Sequence, residues 1–201
     1  MRSEAPRLLP ILRSQHQADL LTLLLLHPEH DYTITDLARR LSIPQSTVTG
    51  EVQRLVDAGI LAARAVGRSR LVRANPDSQL VAPLTELLTL TYGPHVVVGD
   101  EFAGLEHVTR VLIFGSWASR YRGERGRPPN DVDVLVVGVP DRLAMYGAAQ
   151  RAESRLGRQV NPVACRPEQW DQPTEPFILE IQSRPYVTVI DRAASASGGE
   201  S

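Results

Sequence analysis

The stretch TITDLARRLSIPQSTVT, Thr33 to Thr49, running on to VQRLVDAGIL, Val52 to Leu61, decides how the first half of the chain is read. Thr35–Leu41 has the spacing of a short amphipathic helix with Leu37, Ala38 and Leu41 inward, and a turn carries the chain to Gln45–Ala58. There Val48, Val52, Leu55 and Val56 recur at i, i+4, i+7 and i+8, the spacing of one buried helix face. Gly59 is a suitable residue to end that helix. Working outward, Gln15–Leu26 reads as a buried helix stopped at His27-Pro28. On the other side, Ile60–Val66 and Arg70–Ala74 read as two strands around Gly67-Arg68-Ser69, a hairpin with a polar tip. Asp77–Tyr92 returns to helical periodicity through Leu80, Leu84, Leu87, Leu88 and Leu90, as a connector or a dimerisation helix. Three helices and a hairpin followed by a closing helix make a small domain over residues 1–92.

The whole chain has 201 residues, 42% hydrophobic and 22% charged, near the averages of globular proteins. No uninterrupted apolar run is longer than Leu23 to Leu26, against the roughly 20 residues a membrane span needs, so no membrane association and a cytoplasmic location are expected. One cysteine, Cys165, excludes an internal disulfide and reads as a buried small hydrophobe. The net charge of -1 conceals a local bias. All 22 basic residues are arginines, and Arg39–Arg73 holds seven of them against Glu51 and Asp57. A compact basic window in a near-neutral chain points to a nucleic-acid partner.

With the apolar positions buried, the opposite face of Gln45–Ala58 presents Gln45, Ser46, Thr47, Thr49, Gly50, Gln53 and Arg54. These small and hydrogen-bonding side chains suit base edges and phosphates in a DNA major groove. A glycine inside a helix costs about 1 kcal/mol against alanine, and Gly50 on this face is explained by close backbone approach to a partner. Arg68 and Arg70 fall at the hairpin tip, where arginine enters a minor groove or neutralises phosphate. The segment over about residues 15–90 resembles the winged helix-turn-helix of ArsR-like and MarR-like bacterial regulators. That resemblance implies a transcriptional regulator of double-stranded DNA. A homodimer is expected because one recognition helix reads only a few base pairs. The segment is also compatible with use as a protein-interaction module.

From Tyr92-Gly93-Pro94 onward the character changes. Val108–Phe114, Asp131–Val137, Gln159–Ala164 and Tyr186–Ile190 read as strands, and Ser116–Tyr121, Arg142–Leu156 and Glu175–Gln182 as helices. The fold class is therefore α+β, with a second, α/β domain over residues 93–192 and a small polar tail, 193–201, expected to be disordered. Alternation on a strand puts Asp131 and Asp133 on one face, so their carboxylates can share divalent metal ions. Gly115 permits a tight turn, Ser116 reads as a helix N-cap or phosphate ligand, and Arg120 and Arg122 are candidate secondary phosphate contacts.

VLIFGSWASRY, Val111 to Tyr121, followed by DVDVLV, Asp131 to Val136, resembles the minimal nucleotidyltransferases of the polymerase-beta-like superfamily. The resemblance covers roughly Val96–Ile190. It implies a mixed sheet, Mg2+ on Asp131 and Asp133, and a nucleoside triphosphate at Gly115, Ser116 and Arg120. Two departures from the family pattern stand out. The gap between Gly-Ser and Asp-x-Asp is longer, with the surplus in a loop from Gly123 to Pro129. The third acid of the family is replaced by Asn161, which cannot act as a general base, a role worth about 10²–10⁴ in rate. Glu101 and Glu153 are candidate substitutes that nothing in the spacing brings near the pair.

Two functions follow from the combination. In one, a DNA-binding regulator carries a nucleotidyltransferase-like domain that binds Mg-NTP as a sensor or residual enzyme. In the other, an active enzyme transfers a nucleoside monophosphate to a protein or nucleic-acid hydroxyl, antitoxin-like and beside a protein partner, with the winged helix for recruitment or autoregulation. Asn161 disfavours the second. The histidines are dispersed, and no metal site is expected at His27 and His30. Trp117 and Trp170 read as core or domain-contact residues.

Overall fold

The computed structural model describes residues 12–67, 69–124 and 129–192. The chain divides into two compact units, Met1–Gly93 and Pro94–Ser201. Arg68, residues 125–128 of the Gly123–Pro129 loop, and the tail from residue 193 lie outside the described residues.

The first unit opens with α1 (Gln15–Leu26), whose Ala18, Leu20, Leu21, Leu24 and Leu25 are buried. Ser14 caps it by accepting from the Gln17 amide at 3.2 Å, and Pro28 ends it because proline disfavours helix in the residue before it. A two-residue strand, β1 (Tyr32–Thr33), leads directly into α2 (Ile34–Leu41). Thr33 caps α2 by accepting from the Asp36 amide, and its hydroxyl also donates to Asp36 Oδ2 at 2.7 Å. That hydroxyl bond holds the Asp36 carboxyl below its usual range. Ser42, in the left-handed region at φ 54°, turns the chain into α3 (Gln45–Asp57). Then come β2 (Leu61–Val66), β3 (Ser69–Ala74) and α4 (Val81–Tyr92).

The three strands form an antiparallel sheet in the order β1-β3-β2. Val66 pairs with Ser69, so the hairpin loop is two residues and Ser69 belongs to the strand, one residue tighter than the sequence suggests. Gly67 sits at φ 58°, as the first residue of such a loop requires. Helix α4 starts at Val81 and not at Asp77. Asn75 accepts from the Asp77 amide and donates to the Gly59 carbonyl at 2.9 Å, and these bonds hold the segment as a turn. Leu88 is the buried residue of α4 and packs in a core with α1, α3 and β3.

The second unit begins with α5 (Pro94–Phe102), a helix absent from the sequence reading, followed by β4 (Val108–Phe114), α6 (Gly115–Tyr121) and β5 (Asp131–Gly138). It continues with α7 (Arg142–Leu156), β6 (Gln159–Cys165), α8 (Pro167–Asp171), α9 (Pro176–Ser183) and β7 (Val187–Asp191). The sheet is mixed, in the order β6-β5-β4-β7. Strand β4 is antiparallel to β5 and β7, and β5 is parallel to β6.

Apolar residues fill both sheet faces. Val132, Val134, Val136, Val111, Ile113 and Val160 pack with α5 and α7. Leu112, Leu135, Val137 and Cys165 pack with Trp170, Ile178 and Ile181 of α8 and α9. Strands β4 and β5 bury side chains on both faces, which explains their near-continuous Val, Leu and Ile content. Trp117 and Trp170 are both core residues, and burial pushes the Cys165 thiol up to about 11. A thiol held protonated in this way is inert. Among the described residues no helix is long and apolar enough to cross a membrane.

Candidate nucleic-acid interface and carboxylate site

In the first unit, α3 buries Val48, Val52 and Leu55 and turns Gln45, Ser46, Thr47, Thr49, Gln53 and Arg54 outward, with Gly50 half-buried between them. A Cβ added at Gly50 would meet nothing within 4 Å, so no packing within the unit demands this glycine. Thr49 donates to the Gln45 carbonyl at 2.7 Å, and Gln45 Nε2 reaches Thr35 on α2. Arg70 on β3 donates to Gln53 Oε1 at 2.9 Å, so strand and helix present their polar groups on one surface. That bridge was not legible from spacing, because it joins residues 17 apart.

The arginine excess is smaller in space than along the chain. Arg54 pairs with Glu51 on its own helix. Two acids from outside the basic window answer two more arginines: Asp31 pairs with Arg64 and Asp36 with Arg39, each at 2.6 Å. Arg40 lies over the Tyr32 ring, 5.5 Å from its centroid. These pairs are exposed, where ion pairs contribute little to stability and exchange readily for other anions.

In the second unit, β5 places Asp131 and Asp133 on one face, at the end of the sheet where α6 begins. Asn161 on β6 stands in register with Asp133. Its Nδ2 donates to Asp131 Oδ2 at 3.3 Å and to Asp133 Oδ1 at 3.2 Å, so the amide lies between the two carboxylates. Burial raises the Asp133 carboxyl above its usual range, the Asn161 hydrogen bond opposes that rise, and the Asp131 charge adds to it. Two acids that would otherwise repel are thus held together by a neutral donor.

Gly115 is fixed by two independent constraints. Its φ of +73° lies in the left-handed region, and a Cβ there would stand 2.7 Å from Asp133 Oδ2. Ser116 is exposed one residue later and is not the N-cap: α6 starts at Gly115 behind Phe114, with no side-chain cap bond. Its hydroxyl therefore has no capping role. Arg120 follows one turn along α6, and Arg122 donates to the Tyr186 carbonyl at 3.3 Å. Glu101 pairs with Arg151 and Arg155 between α5 and α7, and those guanidiniums hold its carboxyl below the usual range. Glu153 accepts from the Val160 amide at 3.5 Å. Neither glutamate bonds to the Asp131–Asp133 pair. An apolar neighbour that sequence reading missed is Phe177 on α9, 42% exposed and edge-on to Phe114, the register partner of Asp133.

A three-stranded sheet with α1 to α3 and an arginine-bearing hairpin is a winged helix-turn-helix. Residues 12–70 match the family model of the MarR family, which supports a DNA-binding transcriptional regulator. Among solved structures, the chain is similar to reduced HlyU from Vibrio cholerae, at 22% identity over 41% of this chain and 82% of that one, TM-score 0.34. It is also similar to the adhesin competence repressor AdcR of Streptococcus pyogenes, at 25% identity over 45% of this chain and 64% of that one, TM-score 0.37. A third is the homodimeric winged helix-turn-helix DNA-binding domain of Mycobacterium bovis Mb0332, at 19% identity over 45% and 88%, TM-score 0.33. No curated protein matches the chain.

Proposed function

We propose that the protein is a homodimeric, DNA-binding transcriptional regulator whose second unit binds a magnesium-nucleoside triphosphate at Asp131 and Asp133. The observation that carries the DNA-binding part is the outward face of α3, polar throughout, open at Gly50 and joined to β3 by the Arg70–Gln53 bond. Gln45, Ser46, Thr47, Thr49, Gln53 and Arg54 read base edges and phosphates, and Arg70 neutralises phosphate beside the groove. Arg68, which the sequence reading assigns to the hairpin tip and which lies outside the described residues, belongs to the same proposal. Leu87 and Leu90 of α4 are 48% and 59% exposed, which supports α4 as the dimerisation element.

The donor set in the second unit fits a hard divalent cation. Two carboxylates with an amide oxygen available by rotation of Asn161 supply the oxygen ligands Mg2+ takes. Asp131 and Asp133 would hold the ion, which when bound would supply the positive charge that offsets the acid pair and a triphosphate. Ser116 donates to a phosphate oxygen, Arg120 adds charge one turn away, and half-exposed Phe177 offers an apolar face to a base. Asn161 cannot accept a proton, so this residue set favours binding over transfer.

The test is anisotropy of labelled DNA from upstream of the gene, at one fixed salt concentration, with and without Mg2+ and an NTP mixture. Sequence-selective binding that weakens in Gln53→Ala and Arg70→Ala and shifts with NTP is expected. Selectivity without an NTP effect removes the sensor half of the proposal. Equal affinity for unrelated DNA removes the regulator.

A further inference from the structure

The chain between α1 and β1 makes a tight turn. His27, which ends α1, accepts from the His30 amide at 3.1 Å, and Pro28 and Glu29 form the corner. Proline presets the φ that the second position of such a turn requires. The turn folds three potential ligands toward one point. His27 is 6% exposed, its position fixed by burial. Glu29 Oε1 lies 3.7 Å from His27 Nδ1 and 3.1 Å from His30 Nδ1. Taken together, one ligand atom from each of His27, Glu29 and His30 lies within 4.8 Å of the others. Spacing alone argues against a metal site at the two histidines and leaves out Glu29, whose approach depends on the turn.

From this geometry we infer that His27, Glu29 and His30 form a binding site for a Zn2+-like transition-metal ion. Two imidazoles and a carboxylate suit zinc and its neighbours, whereas Mg2+ and Ca2+ take oxygen ligands alone. Ligands about 2.0–2.1 Å from a tetrahedral zinc stand roughly 3.4 Å apart. The present spacing reaches that with a small rotation of His30, whose side chain is 58% exposed. Three protein ligands leave the fourth position to water, the pattern of an open site and not of a closed structural one. The ion would hold the end of α1 to the chain entering β1 and α2. His30 also lies against Tyr32, ring centroids 6.0 Å apart, and Tyr32 pairs with Val72 of β3. A loaded site therefore borders both the helix-turn-helix and the base of the hairpin.

The experiment titrates EDTA-stripped full-length protein with ZnCl2 against a chromophoric chelator. Asp131→Asn/Asp133→Asn serves as the background, so that the carboxylate pair contributes nothing. One zinc per chain is expected, with a dissociation constant of about 1 μM or tighter. Glu29→Gln and His30→Ala each remove one of the three ligands. Losing a partner that only orients a ligand already costs about 10–100-fold in affinity, so each is expected to cost at least that. Both changes fall on the outside of a turn, and circular dichroism verifies their folding, with His30→Asn replacing His30→Ala should the loss of its ring disturb Tyr32. Zinc uptake unchanged in the folded variants would overturn the site. So would the absence of saturable uptake in the background protein at about 1 μM.

Discussion

Replacing Asn161 by aspartate tests the reading of the second site directly. In the native chain the amide donates to Asp131 at 3.3 Å and Asp133 at 3.2 Å. Asn161→Asp removes both bonds and sets a third carboxylate at about the same distances. Two unit charges about 3.3 Å apart repel by about 1.3 kcal/mol in water and by about 5 kcal/mol at an effective dielectric of 20. The half-buried site lies between these limits. Protonation caps the total, because holding a proton on a carboxyl of ordinary pKa about 4 at pH 7 costs about 1.36 kcal/mol for each of three pH units, or about 4 kcal/mol. A loss of about 2–4 kcal/mol is therefore expected at pH 7 without divalent ions. It should shrink by roughly 1.4 kcal/mol per pH unit on acidification and recover with Mg2+.

Urea unfolding followed by tryptophan fluorescence is the assay. The chain's two tryptophans, Trp117 and Trp170, are both buried in the second unit, so the signal reports that unit and not the winged helix. Val163→Asp is the control: it adds the same charge two residues along β6 at a position 41% exposed, and should show neither the pH dependence nor the Mg2+ rescue. An Asn161→Asp loss below about 0.5 kcal/mol, or one equal at about pH 4 and pH 7, would refute the amide bridge.

Other outcomes follow from single observations. Gly50→Ala adds a Cβ into open space and should raise stability by up to about 1 kcal/mol in a thermal melt while weakening DNA binding; unchanged affinity removes the close-approach reading. Asp133→Asn tests the raised carboxyl: because the folded pKa lies above the unfolded one, the charge costs stability above the folded pKa and nothing below the unfolded value. The substitution should therefore stabilise at about pH 7 and be neutral at about pH 3 in urea titrations. Arg70→Gln should lower the slope of log affinity against log salt by about one phosphate contact's worth, measured by DNA anisotropy. Leu90→Arg places a charge on the exposed stripe of α4, and sedimentation velocity should find it monomeric at concentrations where the parent is a dimer.

What could be read from the chain divides by physical cause. Strands β4 and β5 were legible because burial on both faces writes a near-continuous apolar run into them, and α1 because its leucine-rich stretch stops at His27-Pro28. Strand β1 is two residues long and carries no period at all; it exists because Tyr32 and Thr33 pair with Val72 and Leu71. Helix α5 was obscured by Gly93-Pro94. That dipeptide punctuates, but proline is also well suited to the first turn of a helix, where its missing N–H is not needed. The face of α3 and the acid pair followed from helical and strand alternation. The Arg70–Gln53 bond and Phe177 beside Phe114 are contacts of tertiary origin, and no local pattern contains them, whereas Glu29 meets its two histidines through a single tight turn.

Asn161 connects these observations most closely. An acid at this position would leave three carboxylates crowded at the sheet end, a cluster that a cation would stabilise. The amide lets the acid pair exist without one, since its two N–H groups satisfy Asp131 and Asp133. A site of that kind has a defined metal-free state and can be filled or emptied according to ligand concentration, which a sensor requires and an enzyme does not. Asn161, which cannot act as a general base, therefore also supplies the second state, and the same residue accounts for both halves of the proposal. Any effect on DNA affinity is then bounded by the difference in ligand affinity between the two states. By linkage, measuring NTP affinity with and without saturating DNA gives the same coupling factor as the reverse experiment, and a factor of one would remove the sensor reading.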